Sequence, residues 1–166
     1  MEESISKEND LSGDDLRMES LTGSICKYFG AGTHDAKSQS ALSLAYIGDC
    51  IYDLVVRTVL ITHEGGKHGS LHNKATHIVN AQAQADLIDA IEPELTEEER
   101  AVYHRGRNAN NTSKAKNASI VAYRKATGLE ALIGYLYLEG RHDRLVELMK
   151  MGMGDRFTVS SGDQKG

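Results

Sequence analysis

Leu42-Ser43-Leu44-Ala45-Tyr46-Ile47-Gly48-Asp49-Cys50-Ile51-Tyr52-Asp53-Leu54-Val55-Val56 decides the fold class. From Ser38 to Ile61 apolar side chains return at helical spacing (Leu42, Ala45, Tyr46, Tyr52, Val56, Val59, Leu60), with Asp49 in the gap and Gly48 the sole turn-forming residue. That periodicity predicts one long, largely buried helix. A second apolar helix is predicted over residues 117 to 138, closed by Gly140 and containing Leu129-Glu130-Ala131-Leu132-Ile133-Gly134-Tyr135-Leu136-Tyr137-Leu138. Each carries one acid in apolar surroundings, Asp49 and Glu130. A carboxylate held there is costly unless a cation, hydrogen-bond donors or a changed pKa offsets it. A shared divalent metal is the compensation that also gives function; a carboxylate facing water from a polar stripe is the plain alternative.

Outward from these helices the punctuation is clear. His63 to Ser70 reads as a Gly-rich loop, with Ser70 capping a helix through Val79. Ala81 to Ile91 continues helically until Pro93, and Thr96 with Glu99 forms a capping box opening a helix to about Arg107. Gly106 begins a loop rich in Asn, Ser and Lys through Lys116, and Asp143 to Met151 forms a last short helix. No period-two pattern survives, so the chain is expected to be all-α. The predicted organisation is an acidic extension over 1–36 with a short helix at Leu21 to Phe29, a domain over 37–153, and a polar tail over 154–166.

The 166 residues, with one Pro and no Trp, suffice for one ordinary core. No apolar run approaches the roughly 18 residues of a membrane span. The amino terminus is acidic and polar where a secretory signal would be basic then apolar, so a cytoplasmic location is expected. Cys26 and Cys50 form no CxxC pair and read as free thiols. Seven acids against Lys7 and Arg17 in residues 1–20 account for the whole net charge of −5. Residues 100–125 hold Arg100, Arg105, Arg107, Lys114, Lys116, Arg124 and Lys125 without one acid. Such a stretch on one face could neutralise several phosphates; the plainer reading is a solvated helix end and loop.

Four ordered stretches together resemble the ribonuclease III catalytic domain in its shortened bacterial form, Mini-ribonuclease III. They are Leu44 to Asp49 followed by Tyr52 to Arg57; Leu71-His72-Asn73-Lys74-Ala75-Thr76 through Ala81 to Ala85; Arg105-Gly106-Arg107-Asn108-Ala109; and Leu129 to Leu138. The resemblance covers roughly residues 38 to 152 and implies an all-α homodimer that cuts double-stranded RNA with Mg²⁺. It implies further that Asp49 and Glu130 are the catalytic carboxylates and metal ligands. Asp53, one turn after Asp49, could join the metal shell directly or through water. Larger members carry glutamates four and seven residues before the catalytic Asp and an Asp three residues before the catalytic Glu. Here Ala45, Leu42 and Thr127 stand instead, leaving the metal count open, with water able to fill the vacated positions.

A-form RNA is recognised through its shape, phosphates and 2′-hydroxyls. With no separate RNA-binding module expected, the candidate contacts are His72, Lys74, Arg105, Arg107, Asn108, Lys114 and Lys116. The resemblance implies as substrate a duplex precursor stem at the ends of 23S ribosomal RNA, with ribosomal proteins as further candidate partners. The alternative is a non-catalytic dimer of the same fold that holds structured RNA. His34-Asp35 and His142-Asp143 resemble the HD dipeptide of another metal phosphohydrolase class but sit where Asp is expected as a helix cap. Gly65 to Ser70 lacks P-loop order. Tyr46, Tyr52, Tyr135 and Tyr137 read as core or dimer packing.

Overall fold

Seven α-helices, and no strand, form among the residues that the computed structural model describes: 20–30, 32, 35–64, 68–109 and 119–154. They are α1 (Leu21–Phe29), α2 (Ala41–Glu64), α3 (His68–Val79), α4 (Ala81–Ile91), α5 (Glu97–Arg107), α6 (Ile120–Leu138) and α7 (His142–Met153). The all-α expectation holds. The chain divides into two compact units, Met1–His34 and Asp35–Gly166. In the first, α1 opens on Ser20, whose hydroxyl accepts from the Gly23 amide, and closes on Gly30 in the left-handed region at φ 62°.

In the second unit the core gathers around α6. Its run Ala126 to Leu136 is buried except for Glu130, which is partly open. A helix apolar on all sides belongs inside a bundle. α2, α4, α5 and α7 all pack on it. Leu129, Leu132 and Leu136 are at most 1 % exposed, and each contributes about 1.5–3 kcal/mol by leaving water. Around them lie Leu44, Tyr52 and Val56 of α2, Leu87, Ile88 and Ile91 of α4, and Tyr103 of α5.

Local chemistry sets most boundaries. The capping box is present in both directions: Thr96 Oγ1 accepts from the Glu99 amide at 3.2 Å, and Glu99 Oε2 accepts from the Thr96 amide at 2.9 Å. Asn80 closes one helix and opens the next without a loop. Its Nδ2 donates to the His77 carbonyl at 2.9 Å while its Oδ1 accepts from the Ala83 amide at 2.9 Å. Gly140 follows α6 at φ 73°.

Two sequence expectations need correction. α3 begins at His68 rather than at a Ser70 cap: Gly69, which reads in sequence as loop, lies in the first turn of the helix, where glycine costs only about 1 kcal/mol relative to alanine. Gly106 does not open a loop. It is buried within α5, where a β-carbon would lie 2.6 Å from that of Ala131 and 3.0 Å from Gly128 Cα. The residue is small because α6 is close, a tertiary demand that reads in sequence as a helix breaker.

Candidate active site

α2 and α6 approach backbone to backbone. A β-carbon on Gly48 would stand 1.8 Å from the Glu130 carbonyl oxygen, and one on Gly134 would stand 2.0 Å from that of Leu44. The contacts pair 48 with 130 and 44 with 134, so the helices run antiparallel with one full turn in contact. The residue after Gly48 is Asp49, and it therefore projects beside Glu130 although 81 positions separate them in the chain.

The two carboxylates have different surroundings. Asp49 is exposed, on the side of α2 that also presents Leu42, Tyr46 and Cys50. The apolar setting expected for it is thus a matter of sequence neighbours: Leu44, Ile51 and Tyr52 turn the other way, into the core. Glu130 is mostly enclosed. Burial, and secondarily the negative charge of Asp49, push its carboxyl up from 4.5 to about 7, against the opposing pull of the Gln84 amide. A pair whose second charge is this costly favours a divalent cation between its members.

Asp53 is held by its own helix. Arg57 Nε donates to its Oδ2 at 2.7 Å, while Oδ1 is enclosed without a hydrogen-bond partner. Among the described residues no three His, Cys, Asp or Glu side chains stand close enough to hold one metal ion. Two carboxylates would leave most positions of a Mg²⁺ ion to water, which this ion retains readily.

Gln84 is the residue that sequence reasoning did not single out. It is 2 % exposed and reaches Glu130 from α4. A signal existed: position 84 shares a helical face with Ile88 and Ile91, both fully buried, so a glutamine there was a polar group assigned to the core.

The predicted RNA contacts are dispersed. His72 and Lys74 are exposed on α3, and Lys74 lines an open groove of about 690 Å³ with Leu60, His77, Asn80 and Asp86. Arg105 is exposed and donates to the Lys37 carbonyl at 3.4 Å. Arg107, in the last turn of α5, is partly buried, and Asn108 is that helix's exposed C-cap. Lys114 and Lys116 lie outside the described residues. The acid-free stretch is not a uniform cationic face. Arg100 Nη2 donates to the Glu92 and Leu95 carbonyls, and Lys125 Nζ binds both oxygens of Asp89 at 2.6 and 2.7 Å.

Among the described residues the fully enclosed carboxylate is Glu99. Arg144 meets both its oxygens, at 2.9 and 3.0 Å, and Arg141 meets Oε1 at 3.1 Å. Burial pushes its carboxyl up. The Arg144 hydrogen bonds, the Thr96 amide and the two guanidinium charges together take it below its ordinary value. Beside it Tyr135 donates to Glu98. Asp35 caps a short 3₁₀ turn through the Lys37 amide, whereas Asp143, expected as a cap, lies inside the first turn of α7 after His142; His34 lies outside the described residues.

The model of the Ribonuclease III domain matches residues 42–141, a span containing both Asp49 and Glu130. A protein named Mini-ribonuclease 3 from Enterococcus faecalis is 47 % identical over 117 residues, 69 % of this chain and 89 % of that relative. One of the same name from Brevibacillus brevis is 46 % identical over 131 residues, 79 % of this chain and 95 % of the relative. A crystal structure of a Fusobacterium nucleatum protein superposes with a TM-score of 0.62 at 28 % identity, covering 70 % of this chain and 93 % of that one.

Proposed function

The chain belongs to the ribonuclease III family, in its Mini-ribonuclease 3 form, and from that premise we propose that it cuts double-stranded RNA with Mg²⁺ held by Asp49 and Glu130. It is an endoribonuclease. The observation that carries the assignment of its site is the glycine-to-backbone crossing that sets these two carboxylates side by side from distant parts of the chain.

Bound Mg²⁺ supplies charge neutralisation at the phosphoryl oxygens. The protein's own groups do the rest. Asp49, open to solvent, would hold the metal on the face from which RNA can approach. Glu130, mostly enclosed beside Asp49, would hold the metal in its ionised form, which a neighbouring cation favours over the protonated one. Asp53, fixed by Arg57, takes part through water. His72, Lys74, Arg105, Arg107, Asn108, Lys114 and Lys116 are the proposed contacts to phosphates and 2′-hydroxyls.

The natural substrate in this reading is the duplex stem that precedes mature 23S ribosomal RNA ends, cut in the cytoplasm where ribosomal proteins assemble on the same RNA. Among the described residues no helix is long and apolar enough to cross a membrane. A homodimer accords with the apolar stripe of α2, where Leu42, Tyr46 and Leu54 are 40, 81 and 51 % exposed at four- and eight-residue spacing. The test is cleavage of an end-labelled RNA duplex with Mg²⁺, with EDTA, and with Asp49→Asn. Cuts that need metal and vanish in the variant are expected; binding without cleavage in every lane would refute the nuclease reading.

A further inference from the structure

The buried side chains of α4 are Ala83, Gln84, Ala85, Leu87, Ile88 and Ile91, and Gln84 alone among them is polar. Its Nε2 is enclosed and makes no hydrogen bond of regular geometry. An amide left so is a standing cost that a leucine or methionine of similar volume would remove. The charged group it meets is the carboxyl of Glu130 on α6, and the α4–α6 contact is among the most extensive in the domain. The Gln84 amide and the Glu130 carboxyl are thus brought together from two packed helices, without the regular geometry of a fully formed hydrogen bond.

We propose that Gln84 is a positioning residue for the nuclease reaction: its amide, delivered from α4, donates to the ionised Glu130 carboxylate and fixes the rotamer in which that carboxylate serves the metal. This rests on the role assigned to Glu130 above. The arrangement is that of an outer hydrogen-bonding partner to a metal ligand, where such partners orient the ligand and tune its basicity. It also explains why a core position tolerates an unpaired amide.

Two variants test it. Gln84→Met fills the space without a donor, and Gln84→Asn keeps an amide too short to reach. Both are expected to lower kcat on an RNA duplex about 10–100-fold with KM for RNA unchanged. In calorimetry with Mn²⁺ alone, the Met variant should bind metal more weakly by a similar factor. Its melting temperature in EDTA should equal or exceed that of the parent, since an unpaired buried amide has been removed. A merely structural glutamine would move stability and leave metal affinity alone. Parent-like turnover and Mn²⁺ affinity in Gln84→Met overturn the inference. Failure of the nuclease reading is a separate result, namely a parent protein that does not cut.

Discussion

Glu130→Gln should make the metal-free protein more stable at alkaline pH, a sign opposite to the usual outcome of altering a functional core residue. The carboxyl is lifted from 4.5 to about 7. Between those values the folded chain keeps a proton that the unfolded chain has released. The folded state thus binds more protons, and stability falls as pH rises from about 4.5 to about 7 and then levels. At about 1.4 kcal/mol per pH unit the ionised glutamate costs about 3 kcal/mol above pH 7. The amide keeps the shape and removes the charge. At roughly 2–4 °C per kcal/mol for a chain of this size, its melting temperature at pH 8 should exceed the parent's by about 6–12 °C, converging towards pH 4.5. Thermal melts in EDTA from pH 4.5 to 8.5 give both curves. A Glu130→Gln protein less stable than the parent at pH 8, or an offset independent of pH, would refute the burial and Asp49 repulsion invoked here.

Gly48→Ala places a methyl 1.8 Å from a backbone oxygen and should destabilise by at least the roughly 1–3 kcal/mol typical of overpacking; Gly69→Ala in α3, with nothing within 4 Å, should stabilise by up to about 1 kcal/mol, both read by urea unfolding. Glu99→Gln should cost about 3–5 kcal/mol at pH 7 because Arg141 and Arg144 lose their buried partner. With the Glu99 carboxyl held below 4.5, the parent should lose this contribution only as pH falls below about 4.5, an acid limb absent from the variant's melts. Lys74→Ala and Arg105→Ala should each weaken duplex binding uniformly across sequences and reduce the slope of log K against log salt by about 0.7–1 for each phosphate that is no longer neutralised.

What could be read in sequence was local. Leu42 to Val56 announces its helix by spacing, Thr96 with Glu99 announces a helix start by a bond three residues long, and Pro93 and Gly140 mark stops. What could not be read is set by partners far along the chain. Gly106 reads as a break until Ala131 and Gly128 arrive against it. Glu99 reads as a cap, and its two arginines lie 42 and 45 residues away. Lys125 reads as a free cation until Asp89 takes it, 36 residues off. The carboxylate pair was visible as two acids in apolar company. That company misled for Asp49, whose neighbours in sequence point elsewhere, and concealed Gln84, whose polarity matters only opposite Glu130.

The antiparallel contact of Gly48 with Glu130 and of Leu44 with Gly134 pins two points on each helix about 6 Å apart along the axis. Two pinned points fix an angle as well as a separation. Bending or fraying at the distant ends of α2 and α6 is then levered about a stationary turn, as the blades of shears swing about a rivet. The carboxylates ride beside the rivet, where displacement is least. Strain at the rim of the domain can thus leave the spacing of Asp49 and Glu130 unchanged.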